Sequence, residues 1–434
     1  MDKMADVLGR AGAWCGQNKY LSAIKNAFQN FMPLTIAGAI GVLWCNVLVN
    51  DQTGLGLFFK PIMALDFLNP AFQAVNFCTI SCITVGITLG IAQEIGVWNM
   101  GAEKAGYIPG LVGLAAWLSV TNTSHMVDGA KEAFTGIAGN ELGATGLFTG
   151  MIIGVLSVEL FCFFEKQDAL KIKMPEQVPP GVARAFEVLV PATITLIITA
   201  CIGSACYNLT GLYLNDVIKN GIQGPLGAVG ATIPGVMIIY LVIMLFWLVG
   251  IHGNNMLSAV KEALFTPLAL ENVEKFNKGE KPTNIINMYF LQMCGEFGGS
   301  GVTIGLVIAI MIFGKREDNK AIATLSLVPG LFNINETVTF GIPMVLNPIL
   351  GIPFVVAPLI TIIIGYVLTV IGFCPVACLT VPWTCPPIVF GFLACGANVM
   401  GAVTQAILIV VSTVIYVPFL IAYEKYQNKQ AAEA

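Results

Sequence analysis

Residues 247–255, WLVGIHGNN, combine an aromatic ring, an imidazole and two amides at the end of an apolar run. Imidazoles and amides supply the donors and acceptors that hydroxyl groups need, and an indole can stack on the C–H face of a sugar ring. We therefore predict that Trp247, His252 and Asn254 line a site for a polar ligand such as a sugar. The alternative is an ordinary helix end capped by polar groups.

A carboxylate lies alone in a second apolar stretch, FNINET. Here Glu336 is the only acidic residue between Asp318 and Glu424. A buried, unpaired carboxylate is costly, so Glu336 needs a partner. We predict that this partner is a sugar hydroxyl or His252, and that the neighbouring Asn335 contacts the same ligand. The alternative is a structural carboxylate that caps a re-entrant turn.

Two further segments are rich in glycine or proline. Residues 295–301, GEFGGSG, contain four glycines, which let the backbone come close to a ligand or to another helix, and both possibilities stay open. The segment lacks the Lys-Ser/Thr ending of a nucleotide-binding loop. Residues 381–387, VPWTCPP, cannot form a straight helix because of their prolines. They predict the tip of a re-entrant hairpin, where Trp383 contacts ligand or lies in an interfacial aromatic belt.

The cysteines predict neither a disulfide framework nor a metal site. Most of the twelve lie in apolar runs, where a small apolar thiol packs well. Cys78 and Cys82, or Cys374 and Cys378, would share a helix face, but no nearby histidine or acid completes a ligand set. We therefore expect no metal and no other cofactor.

The elements that position these residues must lie in a membrane. Of 434 residues, 56% are hydrophobic and only 11% are charged, whereas a soluble domain carries about 25% charged residues. The composition predicts an all-α polytopic membrane protein. The net charge of -4 gives no indication of a nucleic-acid partner.

Apolar runs of about 20 residues predict the crossings, roughly eight to eleven in all. Glycine and proline interrupt the later runs, and broken helices persist at membrane depth only where protein or a cavity satisfies their backbone. These breaks therefore indicate a pathway. The predicted spans and apolar stretches are 31–49, 74–93, 106–121, 143–164, 186–209, 228–251, 286–313, 321–342, 343–372, 373–395 and 400–421.

Lysine and arginine predict that both termini are cytosolic. Basic residues cluster in residues 1–30, 166–184 and 261–281 and in the C-terminal tail. One conflict concerns the basic cluster at 315–320, which also looks cytosolic although a single crossing over 286–313 would place it outside. Either that stretch enters and returns, or residues 253–270 also cross.

Several motifs together resemble a known family. WLVGIHGNN, GGSG, LSLVPGLFNINETVTFGIPMVLNPIL and KMPEQVPPGVARAF are similar to the membrane-embedded IIC component of bacterial phosphoenolpyruvate-dependent sugar phosphotransferase systems. Within that system the sequence resembles the lactose, cellobiose and diacetylchitobiose branch. The resemblance covers nearly the whole chain in order.

The resemblance implies about ten transmembrane helices, two re-entrant hairpins, amphipathic interfacial helices and a homodimer in the bacterial cytoplasmic membrane. It also implies a division of roles in which the transport domain moves across the membrane. The expected regions are a cytosolic amphipathic segment (1–30), a dimerisation domain (31–185), a substrate-binding transport domain (186–423) and a cytosolic tail (424–434).

The implied substrate is a β-linked disaccharide such as cellobiose, diacetylchitobiose or lactose, phosphorylated at its C6 hydroxyl. The phosphoryl group comes from a cysteine of the IIB protein, and IIA is a further partner. No activity is expected from this chain alone. The longest polar stretch, 271–285, is too short to fold alone and carry that cysteine. We assign the base role to Glu336 and the orienting role to His252. Trp247, Asn254, Asn335 and Trp383 are assigned to binding.

Two other functions remain alternatives. A proton-coupled secondary sugar transporter would use His252 and Glu336 as a proton relay. A membrane enzyme acting on lipid should show a denser set of catalytic acids or a metal site, and the sequence has neither.

Overall fold

The chain folds almost entirely into helices, because a segment in lipid must pair its backbone N–H and C=O groups internally. The computed structural model describes residues 10, 13–14, 17–51, 55–125, 134–175, 177–342 and 344–433. In chain order, the α-helices are α1 Lys19–Leu43, α2 Asn69–Asn76, α3 Ile83–Met100, α4 Ala102–Ala105, α5 Ile108–Val120, α6 Gly139–Leu142, α7 Ala144–Glu165, α8 Pro180–Thr210, α9 Leu214–Ile218, α10 Gly224–Gly230, α11 Ile233–Leu248, α12 Gly253–Met256, α13 Ser258–Asn277, α14 Met288–Gly295, α15 Ile304–Phe313, α16 Glu317–Leu331, α17 Glu336–Gly341, α18 Gly351–Val370, α19 Val389–Ala394 and α20 Val399–Glu433.

Tighter and wider helical turns and one small hairpin complete the described secondary structure. The hairpin is antiparallel and pairs β1 Ser124–His125 with β2 Phe134–Thr135. The 3₁₀ segments are Leu55–Leu57, Lys60–Leu68, Asp168–Leu170 and Ser300–Val302, and the π segments are Trp44–Leu48, Phe77–Ser81 and Lys219–Gln223.

Five segments in the described part of the chain are long and apolar enough to cross a bilayer, or seven if each of two bent pairs counts as one span. The pairs are Lys60–Ser81 with Ile83–Met100, bent by 41°, and Met288–Val302 with Ile304–Phe313, bent by 59°. An all-α multi-pass membrane protein is thus confirmed, while the count of ten stays a prediction. The five segments are Lys19–Leu48, Ala144–Glu165, Pro180–Thr210, Gly351–Val370 and Val399–Gln430.

The structure gives the bounds of three predicted segments in more detail. The first long helix begins at Lys19, so it includes the last part of the segment 1–30, whose cytosolic location stays a prediction. The apolar stretch 321–342 is not continuous, because α16 and α17 are separated by a turn. Residues 373–388 form no helix, since glycine and proline interrupt them, and only the end of the stretch 373–395 is helical, in α19.

Internal packing divides the chain into two units. The N-terminal unit comprises Gln17–Gly38 and Ala74–Gly227, and the C-terminal unit consists mainly of Ala39–Gln73 and Ala228–Ala434. The predicted roles of residues 31–185 in dimerisation and of residues 186–423 in transport stay predictions.

Small residues allow α3, α5 and α7 to pack closely within the N-terminal unit. A Cβ atom added at Gly96 would lie 2.2 Å from Pro109, and one at Gly113 would lie 2.3 Å from Ala92. Close approach of small residues is the usual way in which helices associate in lipid, where no hydrophobic force drives them together.

The basic cluster at 315–320 lies beside the end of α20. The backbone N–H groups of Lys315 and Arg316 donate to the buried Glu424 carboxylate over 2.9 and 3.3 Å, and the Asn319 amide donates to the same group over 3.2 Å. These contacts place the cluster on the same side of the membrane as the C-terminal tail. The preceding pair of helices is bent by 59°, which fits a broken span or a re-entrant loop.

Candidate functional site

His252 lies in the turn that follows α11. Gly250, at φ 81°, reverses the chain, and His252 then caps the short helix α12. Its Nδ1 accepts a hydrogen bond from the backbone N–H of Asn255 over 3.2 Å. Because Nδ1 acts as an acceptor, the proton of the neutral imidazole is on Nε2. A Cβ at Gly253 would lie 2.0 Å from the carbonyl oxygen of Ile243, so glycine is required in this turn.

Glu336 is the first residue of α17 and faces His252. Its Oε1 lies 3.7 Å from His252 Nε2, and the two side chains are 45% and 38% exposed, respectively. This distance exceeds that of a hydrogen bond, so the interaction is electrostatic and leaves both groups able to bind a ligand. The structure therefore brings together the two residues that were predicted to carry the chemistry.

A backbone contact holds the α17 region against α11. The N–H of Leu346 donates to the carbonyl oxygen of Leu248 at the end of α11 over 2.8 Å. This contact explains how residues that are more than eighty positions apart in sequence meet at one site.

Asn335 is buried beneath this pair. Its amide nitrogen donates to the carbonyl oxygen of Ser300 and to the hydroxyl of Thr339, both over 3.0 Å. The adjacent glycines are needed for close packing: a Cβ at Gly299 would lie 2.7 Å from Asn335, and one at Gly301 would lie 2.3 Å from the ring of Phe354. The glycine-rich turn thus approaches other parts of the protein closely, and Asn335 connects it to α17.

The two tryptophans of the candidate site differ in exposure. Trp247 is only 2% exposed, and its ring centroid lies 4.4 Å from that of His252, so the indole supports the imidazole. Trp383 is 43% exposed and lies in the irregular segment that precedes α19. Of the two, Trp383 presents an open ring surface, while Trp247 packs beneath His252. Their direct roles in binding stay predictions.

Asn254 follows His252 by two positions. Its side-chain Oδ1 is buried and has no hydrogen-bond donor among the residues that the structure describes. A buried amide oxygen normally has a partner, so Asn254 is suited to accept a hydrogen bond from a ligand or an ordered water. Its predicted role in binding stays a prediction.

Sequence reasoning missed a buried ionic cluster. Lys261 in α13 forms an ion pair with Glu296 Oε1, and the hydroxyl of the fully buried Tyr240 donates to the same oxygen over 2.7 Å. Lys261 was counted in a basic stretch predicted to be cytosolic, and its side chain is only 7% exposed, so it does not lie free in solvent as a loop lysine would. The cluster connects α11, α13 and the residue that follows α14.

The expectation of a shared helix face for Cys374 and Cys378 was wrong, since both lie in the irregular segment. Instead, Cys374 Sγ lies 3.9 Å from Cys395 Sγ. In the described ranges, no three or more histidine, cysteine, aspartate or glutamate side chains are placed to hold a metal ion.

Comparison with known proteins places this site in a family. Residues 25–358, which include His252 and Glu336, match the family described as phosphotransferase system, EIIC. The chain belongs to this family. EIIC proteins are multi-pass proteins of the bacterial cell membrane that work with IIA and IIB components and a sugar substrate. The resemblance read from the motifs is thereby confirmed.

Several individual proteins are similar along nearly their full length. The oligo-beta-mannoside-specific EIIC component of Bacillus subtilis is 32% identical over 98% of this chain and 94% of its own length. The cellobiose-specific EIIC component of Lactococcus lactis is 30% identical, with 98% of each chain covered. The crystal structure of ChbC, the IIC component of the N,N'-diacetylchitobiose-specific system, superposes with a TM-score of 0.88 and 29% identity, covering 97% of each chain.

Proposed function

We propose that this EIIC protein is a permease for a β-linked disaccharide, which is phosphorylated at a C6 hydroxyl by phosphorylated IIB. The observation that carries the proposal is the half-exposed pair of His252 and Glu336, with Nε2 and Oε1 3.7 Å apart. Relatives named for cellobiose and for oligo-beta-mannosides support a β-linked sugar as the substrate class. The diacetylchitobiose-specific ChbC, which has the same fold, also supports it.

Glu336 acts as the base in this proposal. Its carboxylate accepts a hydrogen bond from the C6 hydroxyl and takes the proton as the oxygen attacks phosphorus. The phosphoryl group moves from the IIB cysteine to the sugar oxygen, and the cysteine leaves as a thiolate. Because such a transfer depends mainly on alignment of the two reactants, the fixed position of Glu336 at the start of α17 supports the assignment.

His252 orients the sugar and the carboxylate. The Asn255 N–H fixes its tautomer, so Nε2–H is a donor that faces Glu336 and can also reach a sugar oxygen. Trp247 supports the ring from below, and the open face of Trp383 stacks on the sugar. Asn254 supplies an acceptor for a hydroxyl.

The transport step is an elevator-type movement of the substrate-binding part within a homodimer, with both termini in the cytosol. All of the candidate site residues lie within the C-terminal unit, which supports movement of the site as a single body. Contacts between the 315–320 cluster and the end of α20 place a basic cluster beside the C-terminal tail, in agreement with a cytosolic tail.

Uptake into proteoliposomes tests the proposal. Vesicles that hold phosphorylated IIB should accumulate the disaccharide only as its phosphate, and vesicles without IIB or with unphosphorylated IIB should form none. In these vesicles Glu317→Gln is the matched control for Glu336→Gln, because Glu317 is 89% exposed and its carboxylate pairs with Lys320 rather than with His252. Accumulation of unmodified sugar driven by a proton gradient would instead support the proton-coupled transporter. Sugar phosphate formed from phosphoenolpyruvate or ATP without IIB would contradict the proposal.

A further inference from the structure

Asn333 connects three separate segments beside the candidate site. Its amide nitrogen donates to the carbonyl oxygens of Trp383 over 2.5 Å and of Cys385 over 3.1 Å. Its Oδ1 accepts from the N–H of Gly298 over 2.6 Å. One side chain therefore joins the turn before Glu336, the proline-rich segment and the glycine-rich turn.

We infer that Asn333 is a positioning residue that holds the exposed Trp383 at a fixed place relative to Glu336 and so sets the sugar affinity of the site. The inference rests on the proposed function, in which Trp383 stacks on the sugar while Glu336 receives the C6 hydroxyl. Asn333 itself need not touch the sugar, because its amide is engaged by the backbone of both flanking segments.

The proline-rich segment depends on these bonds. Upstream, Thr380 is held by the hydroxyl of Tyr289 over 2.6 Å, and downstream the N–H of Ile388 donates to Gln405 over 2.8 Å. Between these anchors, the described hydrogen bonds that reach residues 381–387 from distant parts of the chain are those of Asn333, and from the adjoining helix α19 the N–H of Phe390 donates to Pro386 over 2.9 Å. Proline lacks an N–H and the segment forms no helix, so regular backbone pairing does not supply the missing support.

Asparagine has the chemistry that this position requires. The Asn333 side chain uses two N–H donors and one oxygen acceptor at the same time. An ionised aspartate has no donor, and serine or threonine has only one. The backbone at Asn333 has φ 62°, in the left-handed region that asparagine and glycine tolerate best. Asn335, by contrast, is buried and bonds to Ser300 and Thr339, so it fixes the packing beneath the site instead.

Asn333→Gly removes the side chain without straining the backbone, which isolates the hydrogen bonds. The first measurement needs no sugar: the rate at which Cys385, a partly buried thiol in the segment, reacts with N-ethylmaleimide, followed by peptide-resolved mass spectrometry. We expect this rate to rise about tenfold. This corresponds to a decrease of roughly 1.4 kcal/mol in the free energy of local opening of the segment around Cys385. The exposed Cys78 is the internal control and should react at an unchanged rate.

The second measurement is a double-mutant cycle on disaccharide affinity with cellobiose as the probe. Asn333→Gly should raise Kd about tenfold, and Asn333→Gly with Trp383→Ala should bind within about twofold of Trp383→Ala alone. Transfer at saturating sugar should change less than about threefold in Asn333→Gly, because Glu336 and His252 keep their own contacts.

The results separate this inference from the proposed function. Unchanged Cys385 reactivity in Asn333→Gly would overturn the positioning role. The role would also be overturned if the factors by which Asn333→Gly and Trp383→Ala each raise Kd simply multiply in the double variant. If Trp383→Ala binds sugar like the wild type, the stacking role in the proposed function fails. Faster Cys385 labelling would then show that Asn333 still holds the segment, but its role in setting sugar affinity would be refuted.

Discussion

Removing the charge of Lys261 should strongly destabilise the C-terminal unit. Lys261 and Glu296 are only 7% and 16% exposed, and they form an ion pair that also receives the hydroxyl of Tyr240. Lys261→Met keeps the length of the side chain but leaves the Glu296 carboxylate with one described hydrogen-bond donor. Breaking a buried pair by removing one partner costs about 3 to 5 kcal/mol, because the remaining charge is uncompensated.

The double variant with Glu296→Gln distinguishes charge from packing. A neutral amide at position 296 can still accept the Tyr240 hydrogen bond, so no uncompensated charge remains. We therefore expect the free energy of unfolding of the double variant to fall by less than about 2 kcal/mol, so that it is more stable than Lys261→Met alone. Unfolding in increasing SDS, followed by far-ultraviolet circular dichroism, measures both losses against the wild type.

Two outcomes would refute this reasoning. If the free energy of unfolding of Lys261→Met falls by less than about 1 kcal/mol, water or another group already compensates the charge of Glu296. A double variant as unstable as Lys261→Met, or less stable, would mean that packing of the lysine side chain rather than its charge is responsible.

Two other predictions concern packing and topology. Gly301→Ala should destabilise the protein by about 2 to 4 kcal/mol, because its Cβ would lie 2.3 Å from Phe354. Gly372→Ala is the matched control, because Gly372 has the same φ of 79° and a Cβ there would meet no atom within 4 Å. Its free energy of unfolding should fall by only about 1 to 2 kcal/mol. Equal decreases for the two variants in SDS unfolding would contradict the packing argument. Lys315→Cys and Lys425→Cys should both resist a membrane-impermeant maleimide in intact cells and both react in inverted vesicles, and labelling from opposite sides would be incompatible with the Glu424 contacts.

His252 and Glu336 could be singled out from the sequence because such residues are rare in it. Glu336 is the only acid in a stretch of more than one hundred residues, and His252 is one of two histidines, so their presence in apolar surroundings marks them. Their 3.7 Å separation was not predictable, since it depends on the contact between Leu346 and Leu248. Local pattern gives no measure of such long-range contacts.

The roles of the two asparagines show a second limit. Asn335 was assigned to the ligand because it adjoins Glu336, a role that stays a prediction, and the structure shows that its amide nitrogen bonds to Ser300 and Thr339 in the packed interior. Asn333, two positions earlier, reaches the carbonyl of Trp383 from fifty positions away. In an irregular turn, successive side chains do not change direction with a fixed period. Sequence alone therefore could not assign the two asparagine side chains to their different partners.

The burial of Lys261 was missed for a related reason. A lysine near other basic residues usually marks a cytosolic loop, so Lys261 was counted together with the lysines from Lys275 onward. The partner that neutralises Lys261 is Glu296, which lies beyond the following loop. Charge counting therefore predicted a location for the basic stretch, which stays a prediction, and could not predict that its first member is buried.

The central claim is that Glu336 is the base for phosphoryl transfer to the sugar. The most direct test is Glu336→Gln, with equilibrium disaccharide binding measured beside single-turnover transfer from phosphorylated IIB. Glutamine keeps the shape and a hydrogen-bond acceptor but cannot take a proton, so binding should stay within about threefold while transfer falls at least about 100-fold. Transfer at a rate near that of the wild type would contradict the account and leave Glu336 with a positioning role only.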